Sequence, residues 1–278
     1  MDRSTRTILG AIDLLRPGNC LIIGFAALVG YTIGGGSDPL KASLLFLGAA
    51  MLGAWGNIIN DFFDLEVDKV NKPWRPLARG IITPRQGLTL GLLLASLGIA
   101  SSISVSLVCG ALAVASFLLL FIYSWRAKSS GLPGNILVSL LSALNIIYGG
   151  VASPKPQLSI LPSIYAFTII LGRELAKSLE DIKGDAEAGI KTIAVQHGPR
   201  TAIQASGAVL LALVAISPLP ALFLGYSTRY LALALLGVDL PILYSLRLLW
   251  RNPVANAWRA TRILKIPLFM GLLAFLLG

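Results

Sequence analysis

The chain has 278 residues, of which 55% are hydrophobic and only 13% charged, and its mean hydropathy is +0.78. A soluble domain of this length has no use for so much apolar surface. The composition therefore excludes a soluble enzyme and predicts an all-α, polytopic membrane bundle, in which each spanning helix takes about 20 apolar residues. A net charge of +10 would suit a nucleic-acid partner, but its placement along the chain has a topological origin, and no nucleic acid is expected.

About nine spans are predicted, at 18–36, 41–61, 86–104, 106–124, 132–152, 159–179, 201–222, 229–249 and 259–277. Residues 86–124 form one apolar stretch that fits two spans, with the turn placed at Ser101–Ser106. With the N-terminus inside, the inner segments 1–17, 62–85, 125–131, 180–200 and 250–258 and the adjoining helix ends hold nearly all of the 23 Lys and Arg residues. The outer side keeps only Lys41, Lys155 and Arg229. This positive-inside bias predicts a multi-pass protein of the cell membrane with a cytoplasmic N-terminus. Residues 1–17 carry charges and lack the apolar core of a signal peptide. Residues 1–278 read as a single membrane domain, and no obligatory protein partner is inferred. Cys20 and Cys109 lie far apart in apolar segments and read as free thiols.

The first span opens on Arg16-Pro17-Gly18-Asn19, where Asn19 is either a polar contact inside the bundle or a helix cap. The second span ends in Asn60-Asp61-Phe62-Phe63-Asp64-Leu65-Glu66-Val67-Asp68. Asn60, Asp64 and Asp68 are each four apart, which on a helix stacks them on one face, and Asn57 extends the stripe. Carboxylates at a helix C-terminus oppose the macrodipole, and a merely structural end would carry Lys or Arg there. Beyond them, Lys69, Lys72, Arg75 and Arg79 either hold the loop inside or contact an anion. Arg75, fixed between Trp74 and Pro76, is the better phosphate ligand of the group.

Tyr123 and Ser124 close the fourth span, followed by Arg126 and Lys128; they are site residues or interface anchors. The sixth span ends in a second charged run. There Arg173, Lys177 and Asp181 share a face, Glu174 lies alongside, and Asp185 follows four residues after Asp181. An ion-pair ladder would explain this run at an exposed surface, whereas at membrane depth such groups mark function. Asp239 sits beside Pro241 in the eighth span, where it could satisfy a local backbone donor. His197, the only histidine, gives no support to a zinc or haem site.

Both acid-rich loops, 61–85 and 180–200, follow even-numbered spans on the same predicted face, a pattern that hints at a duplicated four-helix unit. Two oxygen-rich faces opposing each other would hold Mg²⁺, which favours carboxylates together with substrate phosphates. The chain has no phosphate-binding GxxxxGK[ST] loop, no GxGxxG after a strand and no serine-hydrolase elbow. What remains is chemistry of metal, phosphate and an apolar pocket.

The run Asn60-Asp61-x-x-Asp64-x-x-x-Asp68 with the later Asp181-x-x-x-Asp185 resembles the UbiA superfamily of intramembrane prenyltransferases. Arg16-x-x-Asn19, Arg75-Pro76, Tyr123-Ser124 with Lys128, and Gly184-Asp185 leading to Gly189-Ile190-Lys191-Thr192 support the resemblance, which covers residues 16–192. It implies about nine helices around a central cavity, with both motifs at its cytoplasmic mouth. It further implies Mg²⁺ on Asn60, Asp64, Asp68, Asp181 and Asp185, clamping the diphosphate of an isoprenyl donor, with Asp61 a ligand or a partner of one. Arg75, Lys128 and Lys177 would neutralise phosphate charge beside Arg16, Asn19, Ser124 and Arg173. Asp61, Asp64 and Asp181 would assist ionisation, and Tyr123 would steady the allylic cation or steer the acceptor.

The stretch 173–185 is most similar to archaeal digeranylgeranylglyceryl phosphate synthases, implying a lipid-like acceptor, geranylgeranylglyceryl phosphate, in ether-lipid synthesis. Many of those relatives carry an acid where this chain has Ser178. The competing reading within the same chemistry is an aromatic acceptor, of quinone, haem or chlorophyll type. An ion-coupled transporter is the reading from another class; its sites sit at midplane, whereas these acids lie at one membrane face.

Overall fold

The computed structural model describes residues 3–187 and 189–278, and among these every regular element is helical. Eight helical stretches are long and apolar enough to cross a membrane. A ninth follows when Ser4–Leu15 and Pro17–Ile33, bent by 43° at their junction, count as one span. Among the described residues this count agrees with the expectation of about nine spans, and the chain is a multi-pass membrane protein.

The backbone divides into two compact units. The first holds the residues up to Arg126 together with Ile147–Gln157. Its helices are α1 (Arg3–Leu15), α2 (Pro17–Ile33), α3 (Pro39–Phe63), α4 (Leu65–Asn71), α5 (Pro84–Val105) and α6 (Leu107–Trp125). Helix α3 packs on α2, α5 and α6. Its start is set by the Asp38 carboxylate, which accepts from the backbone N–H groups of Leu40 and Lys41, with Pro39 at the first helical position. A reciprocal Thr83–Gln86 capping box starts α5. The turn expected within 101–106 falls at Ser106, whose hydroxyl accepts from Cys109 N–H and opens α6. Close helix approach depends on glycine: a Cβ on Gly98 would stand 3.0 Å from the Gly48 carbonyl oxygen. Trp55 stacks on Phe117 at 4.8 Å between ring centroids, and the Ser102 and Tyr148 hydroxyls meet at 2.7 Å in the buried interior.

The second unit holds Ala127–Ile146 and Leu158–Gly278. Helix α7 (Leu132–Gly150) contributes its residues through Ile146 here and the remainder to the first unit. The unit continues with α8 (Ile160–Glu180), α9 (Ile182–Glu187), α10 (Ile193–Ile216), α11 (Leu219–Phe223) and α12 (Thr228–Leu233). A π-helical turn (Ala234–Asp239), α13 (Leu240–Arg251), α14 (Ala257–Ile263) and α15 (Lys265–Leu277) complete it. Helix α8 packs on α10, α14 and α15 around Ile169, Leu179, Ile203, Leu210, Ile242 and Leu249. Helix α10 begins earlier than the predicted 201 and is kinked at Gly198, whose φ of 83° only glycine adopts readily, followed by Pro199.

The π turn lies just before Pro241, which removes a backbone donor from the helix. Asp239 occupies the end of this turn, and its partner corrects the expectation of a backbone donor. Oδ2 accepts from the Ser217 hydroxyl at 2.6 Å, a side chain at the end of α10.

Candidate active site

In the first unit the acid run does not form one continuous stripe. Helix α3 ends at Phe63, and Asp64 is the joint between α3 and α4. By their partners the polar side chains fall into two sets. Asn60 and Asp64 form one: the Asn60 amide donates to Asp64 Oδ2 at 3.1 Å, and both are half-buried. Asn57, Asp61 and Asp68 form the other. Asn57 Nδ2 donates to the Leu15 carbonyl at the end of α1 at 2.8 Å. Asp61, one turn on, is buried and ion-paired through Oδ1 to Arg16 and, at 2.8 Å, to Arg75. Arg75 also pairs with the buried Asp68. Asp68, expected to stack with Asn60 and Asp64, is thus turned toward a guanidinium group, as is Asp61. Arg16 itself is the joint between α1 and α2, held at φ 53°, ψ 68°. That left-handed conformation is strained for a residue with a Cβ, and more so before proline.

Asn19 lies exposed in the first turn of α2, where its backbone N–H bonds the Arg16 carbonyl at 2.9 Å. It is thus neither a buried contact nor the cap. Tyr123 is half-buried and Ser124 buried in the last turn of α6, and the Ser124 hydroxyl has no bonding partner.

The second unit carries the other motif. Lys177 and Asp181 close α8, with Lys177 Nζ 3.9 Å from both Asp181 and Glu174. Asp185 lies on α9, where burial, then the neighbouring charge of Asp181, pushes its carboxyl up to about 6, against the opposing pull of Lys177 and Lys128. Lys128, in the 3₁₀ turn Ala127–Ser130, thereby belongs with Lys177, Asp181 and Asp185 in one electrostatic cluster. Arg173 points elsewhere. It pairs with Glu174 at 2.8 Å and donates to the Thr261 carbonyl on α14 at 3.3 Å, while the Thr261 hydroxyl donates to Glu180. Ser178, the position where relatives carry an acid, is buried and returns its hydroxyl to the Leu175 carbonyl. The Asp61–Arg16 and Asp61–Arg75 pairs escaped sequence reasoning because they join residues 45 and 14 apart. The one available signal was the four-residue step from Asn57 to Asp61.

Residues 21–273 match the UbiA prenyltransferase family, which is nearly the whole chain. The chain belongs to the UbiA prenyltransferase family. It is an intramembrane transferase, and the transporter reading falls away. A digeranylgeranylglyceryl phosphate synthase of Hyperthermus butylicus is 37% identical, over 97% of this chain and 96% of its own length. A solved structure of a digeranylgeranylglyceryl phosphate synthase superposes with a TM-score of 0.76 at 29% identity, covering 98% of both chains. A UbiA homologue from Archaeoglobus fulgidus, bound to DMAPP and Mg²⁺, has the same fold at 19% identity, with a TM-score of 0.70 and coverage of 95% and 98%.

Whether this UbiA chain suits a divalent ion can be judged from its donor set. Among the described residues no three His, Cys, Asp or Glu side chains gather closely enough to hold a metal alone. Mg²⁺ does not need such a cage, since it takes one or two carboxylates and completes its octahedron with water and phosphate. The adjacent Asn60 and Asp64, and the mutually repelling, partly buried Asp181 and Asp185, are hard oxygen donors that a cation would relieve. They fit.

Proposed function

We propose that this enzyme transfers a geranylgeranyl group from its diphosphate to the hydroxyl of geranylgeranylglyceryl phosphate, with Mg²⁺ as cofactor, in archaeal ether-lipid synthesis. What carries the reading is the 37% identity, end to end, with a synthase of that name. Mg²⁺ would be held by Asn60, Asp64, Asp181 and Asp185, with Asp68 a further donor once parted from Arg75. When bound, the ion neutralises diphosphate oxygens and eases departure of the leaving group.

The chain's own side chains do the rest. Arg16, Arg75, Lys128 and Lys177 bind the phosphate oxygens and stabilise charge as the allylic C–O bond breaks. Arg173 holds Glu174 and the α8–α14 contact instead of touching substrate. Tyr123, at the end of α6, steadies the allylic cation with its ring, and the apolar spans keep water from it. The acceptor oxygen then bonds to the allylic carbon, releasing diphosphate and a proton. The Lys and Arg asymmetry supports a cytoplasmic N-terminus and cytoplasmic motifs. The whole chain acts as one catalytic domain.

The test is a transfer assay in detergent with radiolabelled geranylgeranyl diphosphate, with and without Mg²⁺, offering geranylgeranylglyceryl phosphate and 4-hydroxybenzoate side by side. Metal-dependent ether product supports the reading. Product on the aromatic ring alone would keep the chemistry and overturn the acceptor.

A further inference from the structure

We infer that Asp61 is a positioning residue: it sets the guanidinium groups of Arg16 and Arg75 side by side as an anion clamp that works without metal. This rests on the prenyl-diphosphate reading and sets Asp61, which holds arginines, apart from the metal-binding pair Asn60 and Asp64 of the same motif.

Four observations carry it. Both arginines bond the same carboxylate atom, Asp61 Oδ1. The Asp61 side chain is 3% exposed, whereas those of Arg16 and Arg75 are 30% and 17% exposed, so the carboxylate is the floor and the guanidinium groups reach outward. The bonds to Asp61 and Asp68 use a single nitrogen of each arginine, Nη2 of Arg16 and Nη1 of Arg75, although each guanidinium carries five N–H donors. Finally, the backbone under Arg16 is strained at φ 53° and is tied down from α3, where Asn57 grips the Leu15 carbonyl one turn from Asp61.

Two cations drawn onto one oxygen repel each other, and that repulsion is relieved when a multiply charged anion arrives. The geometry is suited to a diphosphate or phosphate group, which accepts several parallel N–H bonds from paired arginines. A metal ion would meet two positive charges at Asp61. Asn60 and Asp64 face each other instead, the Asn60 amide donating to Asp64 Oδ2.

The decisive experiment measures inorganic pyrophosphate binding by calorimetry on the detergent-solubilised full chain in EDTA. A separate Mg²⁺ titration reads metal affinity through thermal unfolding. Wild type should bind pyrophosphate without metal, and Asp61→Asn should weaken that binding at least tenfold while leaving the Mg²⁺ midpoint unchanged. Asp64→Asn should do the reverse. Because neither readout involves prenyl transfer or an acceptor, failure of the transfer assay and failure of this inference remain distinguishable.

A thermodynamic cycle guards against an Asp61 variant that folds poorly. In an Arg16→Gln, Arg75→Gln background, adding Asp61→Asn should cost no further pyrophosphate affinity, since the carboxylate acts only through the two arginines. Undetectable metal-free binding by wild type, an Asp61→Asn variant of unaltered anion affinity, or one that loses Mg²⁺ instead would each overturn the assignment.

Discussion

Arg75→Gln is the substitution that best tests how the first motif is held. It removes a guanidinium whose side chain is 17% exposed and which pairs with two carboxylates, Asp61 and Asp68, that are 3% and 4% exposed. Asp61 keeps Arg16, but Asp68 loses its ion pair and stays buried. Breaking a buried pair from one side costs about 3–5 kcal/mol, mostly the penalty of the stranded charge. The lower end applies here, because Asp61 retains a partner and Gln can still donate. About 3 kcal/mol converts to a fall of roughly 6–12 °C in apparent Tm for a chain of this size. Intrinsic-fluorescence unfolding in detergent would read it, with Trp55 buried in the same unit as a reporter. The sign of a second step follows from the same reasoning: Asp68→Asn added to Arg75→Gln removes the stranded charge and should recover at least half of the loss. An Arg75→Gln variant as stable as wild type would refute the buried-pair account. So would a double variant less stable than the single one.

Four further outcomes are expected. Gly149→Ala should cost about 1–3 kcal/mol, because its Cβ would lie 1.7 Å from the Ala27 carbonyl oxygen on α2; chemical or thermal unfolding measures it. Asp185 has a folded-state carboxyl raised from 3.8 to about 6. Its stabilising contribution is therefore complete below about 4 and lost as pH rises through about 6, so metal-free wild type should lose more stability across that window than Asp185→Asn. Asp239→Asn should keep most transfer activity and an equal or higher Tm, since Oδ1 is buried without a partner and the substitution removes any charge there; a folded but inactive variant would bring Asp239 into the site. Asp64→Ala and Asp181→Ala should each abolish transfer, as EDTA should, while the chain still inserts and unfolds cooperatively; full activity in either variant would remove that residue from the metal site.

The spans were legible because hydrocarbon imposes a length and a composition on every helix that crosses it, and local chemistry placed the ends. Ser106, Pro84 and Pro39 mark starts that can be read from a few adjacent residues. What escaped depends on partners remote in sequence or on a single backbone torsion. Residues 1–17 read as a charged inner segment, yet α1 is a helix bent 43° from α2, with the bend made at Arg16 and Pro17. The hold of Asp239 on Ser217 likewise needs the end of α10 in place, 22 residues away. Four-residue spacing identified the first acid motif, but it presumed an unbroken helix. The joint at Asp64 interrupts that helix, so Asp68 no longer follows the stripe of Asn60 and Asp64 and is buried against Arg75. Stripe arithmetic works only as far as the helix that carries it, and α3 ends at Phe63, inside the motif. On the proposed reading the motif has two separable tasks: oxygen donors at Asn60 and Asp64, and at Asp61 a carboxylate that fixes arginines. A continuous helix would have lined all these acids along one face, with their charges repelling and no buried place for the guanidinium groups.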